Sequence, residues 1–270
     1  MKTKLIFLLI CSGYLIPGNA QQIHLGVTTA ANATFVLDKG LSEDPRYSST
    51  YTYNMAPVGF NFGVDFSKGF GLSLESILSK QGQIYEIIDA AEQVRGERRI
   101  DLRYVSLPLL FRFMSGGTGA VRTNFNIGPQ LSILTDAVES MHYEAGTYKM
   151  STDPNFQLPE GAVDNGDGTY TSPAMSPTDL FTKKANDFKN NEFQIAAAFG
   201  LSIDLSRHLF LTTQVRANYS LTDMRNGDVI DAIKNGEGSD IFGQRANLLV
   251  GVQVGLNYSF GVTRSFRYKQ

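Results

Sequence analysis

Large apolar side chains stand at every second position along much of the chain. Val58, Phe60, Phe62, Val64 and Phe66 alternate with Gly59, Asn61, Gly63 and Asp65, and the pattern resumes at Phe70, Leu72 and Leu74 after Ser67-Lys68-Gly69. An earlier set runs Leu25, Val27, Thr29, Ala31, Ala33, Phe35, Leu37, and two follow at Val105 to Phe113 and Val121 to Ile133. Three more run from Phe193 to Leu205, Leu209 to Leu221 and Leu248 to Phe260. Successive side chains of a strand point to opposite faces, so period two over such lengths predicts eight strands rather than helices.

The connections alternate in length. Ser67-Lys68-Gly69, the glycine-rich Ser115 to Gly119, and Ser206-Arg207 have the chemistry of tight hairpin turns. The others are long, at about 38–54, 82–98, 138–190 and 222–243. Short turns at one end and long loops at the other predict an all-β, eight-stranded antiparallel up-and-down transmembrane β-barrel with short periplasmic turns and long extracellular loops.

Alternation alone fits a soluble barrel with its apolar set turned inward equally well. The polar set separates the two. It is made of small residues and amides, among them Gly59, Asn61, Gly63, Ser73, Asn124, Asn126, Gln130, Gln194, Gln214, Asn218, Asn247, Gln253 and Asn257, where a water-facing exterior would carry lysine and glutamate. Lysine falls in loops, turns or tails, with Lys80 near the outer end of the third strand, where its stem can snorkel. A lysine at the bilayer midplane of a barrel costs about 2–4 kcal/mol. Tyr51, Tyr53, Tyr85, Tyr104, Tyr143 and Tyr219 near the long loops, and Phe66, Phe70, Phe113 and Phe260 near the short turns, form two candidate aromatic girdles.

The first twenty residues fit an exported protein. Lys2 and Lys4 precede an apolar run from Leu5 to Ile16 and the small residues Gly18-Asn19-Ala20, the layout of a signal peptide cleaved after Ala20, leaving 21–270 as a single barrel domain. The run is shorter than the roughly 20 residues of a membrane span, and Cys11 follows Ile10, where a lipid-attachment box would want a small residue. Without the two signal lysines the balance is 22 basic to 26 acidic residues, a net of −4, which favours neither nucleic acid nor an anionic surface. With Cys11 removed no cysteine remains, so thiol chemistry and disulfides are excluded.

Three segments carry more than a pattern: "GLSLESILSKQG" (71–82), "YVSLPLLFRF" (104–113) and "NIGPQLSILTD" (126–136). They resemble the PorT-like outer-membrane β-barrel family of Bacteroides-type bacteria, whose fourth strand reads Tyr-x-x-x-Pro-Leu-Leu and whose fifth carries a Gly-Pro pair. The resemblance implies an eight-stranded barrel, and its namesake is implicated in protein export across the outer membrane. Pro108 and Pro129 each remove a ladder donor within a predicted strand, and bulges there would accommodate them.

Candidate chemistry is sparse. Asp65, Glu75, Arg112, Asp204 and Arg216 fall in the inward register, where burial demands pairing, so a charge network in the lumen is expected. His142 lies near Asp136, Glu139 and Ser140, but nothing sets a nucleophile beside a base; His24 and His208 sit at the periplasmic strand ends. "DNGDGTY" (164–170) offers Asp164 and Asp167 in the spacing of a calcium loop, yet Met175 stands where the bidentate glutamate belongs, and Asx and glycine turns explain the stretch equally. "TDLFTKKANDFK" (178–189) predicts a short amphipathic helix capped by Thr178, with Phe181, Ala185 and Phe188 on one face as a lid or docking surface. No cofactor motif is present. The expectation is a non-catalytic binding or scaffolding protein whose partners are outer-membrane lipid and other envelope or secretion proteins; a surface adhesin or ligand-binding barrel acting through its extracellular loops is the alternative, and an outer-membrane enzyme the third reading.

Overall fold

The computed structural model describes residues 22–115, 119–236 and 240–260, so the expected signal peptide, residues 1–20, lies outside the described residues. The strands are β1 (Gln22–Asp38), β2 (Tyr47–Thr50), β3 (Thr52–Asp65), β4 (Phe70–Ile88), β5 (Val94–Met114), β6 (Val121–Tyr143), β7 (Gly146–Lys149), β8 (Val163–Asp164), β9 (Thr169–Ser172), β10 (Met175–Thr182), β11 (Asn191–Asp204), β12 (Leu209–Ser220) and β13 (Arg245–Phe260). Two short helices, α1 (Lys39–Glu43) and α2 (Gly227–Lys234), lie in the connections.

Eight strands pair antiparallel in the ring β1-β3-β4-β5-β6-β11-β12-β13, and β13 closes it against β1 from Ile23↔Phe260 to Asp38↔Arg245. Closure leaves no free edge among these strands, the requirement for crossing a bilayer with sheet. The expected apolar set faces outward throughout, with no charged side chain between the phenylalanine belt and the level of Lys80 and Arg103. At the short-turn end the rings of Phe66, Phe70, Phe113 and Phe125 follow one another with centroids 5.6–6.4 Å apart, so the lower girdle is continuous across four strands or turns. Tyr51, Tyr53 and Tyr219 mark the upper girdle. Tyr85 and Tyr104, expected there, point inward and are buried, because the inward register of β4 and β5 runs on through them.

The strands run on past the expected ends. β4 and β5 continue through the stretch expected as the 82–98 loop and turn at 89–93, while β6 continues to Tyr143. These extensions form, with β2 and β10, a five-stranded extracellular sheet in the order β2-β4-β5-β6-β10. The stretch expected as a helix at 178–189 is the end of edge strand β10 and a turn. Its Pro177 needs no ladder partner at an edge, and its backbone pairs with β6 from Met175↔Tyr143 to Thr182↔Val138. A separate sheet of β7, β9 and β8 folds over this extension.

No bulge occurs at Pro108 or Pro129. The β4–β5 pairing lapses between Leu74↔Leu109 and Ile77↔Ser106, and the β5–β6 pairing between Pro108↔Gln130 and Phe111↔Ile127, with the register kept across both gaps. The ladder opens instead of slipping, because a slip would turn the apolar face inward. Gly128 lets the walls stay close: a Cβ there would stand 1.9 Å from the Leu109 carbonyl oxygen. Within the barrel wall two bulges lie elsewhere, where Thr29 opposes both Pro57 and Val58, and where Thr135 is the extra residue opposite Arg103 and Tyr104; further register shifts lie in the extracellular extension, at Ile87–Ile88 and along β10. Each threonine hydroxyl donates to a carbonyl across the bulge, Thr29 to Ala56 at 2.8 Å and Thr135 to Arg103 at 2.9 Å.

Candidate functional site

The interior divides into three levels. At the short-turn end Arg112 Nη1 donates to Asp65 Oδ1 at 3.0 Å and lies 2.7 Å from His24 Nε2. His24 is buried over Gly63, where a Cβ would strike its ring at 2.1 Å. Arg122 Nη2 donates to Asp204 Oδ1 at 3.0 Å near the rim. At mid-height Arg216 Nη1 donates to Glu75 Oε2 at 2.6 Å, and its other nitrogens donate to amide oxygens of Gln130 and Asn218. Thus Asp65 with Arg112, Glu75 with Arg216, and Asp204 with Arg122 are joined in pairs, and amides separate the first two.

Those amides cross the barrel. Asn126 donates to Gln214, Gln214 to Gln253, Gln130 to Gln194, each at 2.7 Å, and Gln194 to Gln81 at 3.2 Å. Primary amides both donate and accept, so a chain of them satisfies opposite walls without net charge. A cavity of about 30 Å³ between His24, Glu75, Arg112 and Gln214 remains, room for about two waters.

Above Gln194 the chemistry changes. Ile100, Leu102, Tyr104, Tyr85 and Leu134 line the walls, and Leu41, Phe188, Met224 and Ile241 enter from the long connections to complete an apolar core inside the mouth. Phe188, assigned to one face of a helix by the sequence, is a buried plug residue reached through an extended turn.

Over this core lies a second ionic cluster. Arg245 contacts Asp38 through Nε, donates to Glu139 Oε2 from Nη1 at 2.6 Å, and reaches Asp240 at 3.4 Å. Arg98 donates to Glu139 Oε1 at 2.5 Å and to Asp240 Oδ1 at 2.6 Å. Burial would raise the Asp240 carboxyl, but Arg98 and Arg245 hold it well below its ordinary value. Asp38 also accepts from Leu41 N at 3.1 Å, so one carboxylate caps α1 and ties it to β13. The sequence reading missed this cluster by ending the strands early; the inward parity of β5, continued from Tyr104 to Leu102, Ile100 and Arg98, is the signal that reaches it.

Outermost, the sheet extension and the β7-β9-β8 sheet enclose a cleft of about 340 Å³ lined by Arg46, Tyr47, Ile87, Met141, Tyr143, Tyr148, Phe156, Glu160, Tyr170 and Met175, with prolines and Ala174. Arg46 Nε and Nη2 grip both oxygens of Asp44 at 2.9 and 3.1 Å, and Nη1 donates to Tyr170 Oη at 3.2 Å. Its guanidinium carbon lies 4.2 Å from the centre of the Phe156 ring. Burial pushes the Tyr148 hydroxyl up to about 12 and raises that of Tyr170 as well, so both stay protonated at neutral pH.

The remaining candidates are not gathered. Glu139 turns inward to the arginines, Asp136 turns outward 3.8 Å from Arg103, and His142 is exposed. Asp164 accepts from Gly166 N at 2.8 Å and Asp167 from Thr169 N at 3.0 Å, each within its own turn. Among the described residues no three acidic, histidine or cysteine side chains come together as a metal site requires.

A model of the outer membrane protein β-barrel domain matches residues 19–226. No curated protein matches. Among solved structures the chain is similar to the outer membrane protein OprG of Pseudomonas aeruginosa, at 11% identity over 90% of this chain and 98% of that one, with a TM-score of 0.44. It is also similar to Neisserial surface protein A (8% identity, 90% and 99%, TM-score 0.38) and to the outer membrane protease OmpT of Escherichia coli (10% identity, 89% and 97%, TM-score 0.41).

Proposed function

The chain belongs to the outer membrane protein β-barrel domain family and resides in the outer membrane of a Gram-negative bacterium, and there we propose that it is a sealed, non-catalytic anchor holding a binding platform at the cell surface. The observation that carries this reading is the plug. Residues of three long connections, Leu41, Phe188, Met224 and Ile241, fill the barrel mouth, and Arg98 and Arg245 bind the last of these connections to the walls through Asp240. Loops held in this way present a fixed surface, and a filled eight-stranded lumen leaves no open path.

The PorT-like resemblance makes the partner an envelope protein of a secretion or assembly system. The test is purification from native membranes in mild detergent, with and without residues 151–167 replaced by an Asn-Gly turn. Met150 N already donates to Gly168 O at 2.8 Å, so the replacement closes a short hairpin. A stoichiometric partner that disappears with the replacement, while the barrel keeps its heat-modifiable gel mobility, supports the reading. No partner from wild type rejects the scaffolding role. An adhesin-type role is the second reading, favoured by the concave outer cleft.

A further inference from the structure

Lys80 and Arg103 stand directly opposite each other on β4 and β5, and both are exposed on the outward face. Side chains so placed have Cβ atoms about 5 Å apart, and like charges there repel. The register sets this pair at the edge of the bilayer. The next outward pair below is Leu78 opposite Val105, the top of the apolar belt, and the next above is Gly82 opposite Asp101. On β3 and β12 the upper girdle is made instead by the uncharged rings of Tyr53 and Tyr219.

No carboxylate of the protein relieves the repulsion between the two. Among the described residues no acidic group forms an ion pair with Lys80, and Asp101, diagonal to it, lies out of reach. Arg103 has Asp136 on its other flank, 3.8 Å away, with both side chains more than half exposed, a geometry that contributes little. Beyond Asp136's strand the Lys183 ammonium, donating to the carbonyls of Leu134 and Thr135 at 2.6 and 3.1 Å, adds a third positive charge. The backbone beneath the pair is braced on both sides: Lys80 O accepts from Asn54 Nδ2 at 3.2 Å and Arg103 O from Thr135 Oγ1 at 2.9 Å. Two cations are thus held in one place at a cost that an anion would remove.

Such an anion must meet the pair at the lipid surface, with apolar side chains directly below it. Phosphate accepts from an ammonium and a guanidinium at once, and acyl tails attached to it would run down the wall past Leu78 and Val105. We infer that Lys80 and Arg103 hold the phosphate of an outer-leaflet lipid headgroup. This site lies on the barrel wall, so it goes beyond the surface platform and does not depend on it.

The test uses the full-length barrel in a phosphate-free maltoside detergent, with native mass spectrometry counting the lipid retained. Phosphatidic acid, the matching diacylglycerol and inorganic phosphate are the probes. One saturable phosphatidic acid should be retained in preference to diacylglycerol, and Lys80→Gln and Arg103→Gln should each weaken it about fivefold, the worth of one basic side chain at an anionic lipid surface. Asp101→Asn should tighten it, and Lys68→Gln, in the short turn at the other end, should leave it unchanged. Heat-modifiable mobility verifies each fold and gives a second reading: without lipid Lys80→Gln should raise the temperature of the mobility shift, because it removes the like-charge opposition, whereas phosphatidic acid should stabilise the wild type more than the variant. Equal retention of diacylglycerol, binding that survives both variants, or an equal loss with Lys68→Gln overturns the proposal. Binding of inorganic phosphate with no preference for the lipid marks a site for a soluble anion and overturns it as well.

Discussion

The lower lumen and the barrel mouth are enclosed by the same eight strands, yet they are filled by opposite means. Below Gln194 opposite walls meet directly, and amides satisfy one another around the Glu75–Arg216 pair. Above it the loops supply a third layer, so an apolar core forms and five charged side chains, Asp38, Arg98, Glu139, Asp240 and Arg245, pack over it. The difference is one of available chain. A narrow lumen has only wall residues to fill it, whereas long connections can bring Phe188 and Met224 inside. The lower level is therefore forgiving of single losses, and the mouth is not.

The largest contrast should come from Arg245→Met. It leaves Asp38, Glu139 and Asp240 buried with only Arg98 to pair them, at a cost of about 3–5 kcal/mol. Urea unfolding in lipid vesicles would read this as a lowered midpoint. Phe188→Ala comes next: its fully buried ring leaves a cavity, for about 3 kcal/mol, and protease should then cut the long loops while the barrel stays heat-modifiable. Glu75→Gln should cost less, about 1–3 kcal/mol, because Gln130, Asn218 and Gln253 still accept from Arg216. A loss at Glu75 equal to that at Arg245 would break the comparison.

The smallest effect is a pH dependence confined to the mouth. Asp240 is depressed in the folded protein from an ordinary 3.8, so its contribution is complete above about pH 4 and is lost as pH falls further towards the depressed value. Loop proteolysis at a fixed protease activity should be flat from pH 7 to 5 and rise only below about pH 4. A rise already at pH 6 would point to a different latch.

Much of this was legible in the sequence. Period two located all eight barrel strands, and the small and amide residues of the other face distinguish lumen from lipid. The lumenal charges Asp65, Glu75, Arg112, Asp204 and Arg216 were legible because each continues the parity of a strand with clear apolar neighbours. Arg98 and Glu139 were not, for a physical reason. Above the bilayer the outward face becomes polar, so alternation fades while the ladder continues, as in Arg95-Gly96-Glu97-Arg98-Arg99. The Thr135 bulge adds a parity switch just before Glu139. The cleft was hidden for another reason: Arg46, Tyr143 and Tyr170 come from segments distant in sequence that the five-stranded extension and the β7-β9-β8 sheet bring together.

The sealed barrel is the claim on which the rest depends, and conductance in a planar bilayer tests it most directly. Wild-type protein reconstituted at neutral pH should give no steady single-channel steps, and the Arg245→Met, Phe188→Ala double variant should stay closed as well, because the amide-filled lumen below Gln194 still blocks the path. Discrete, long-lived steps from the wild type would contradict the sealed anchor.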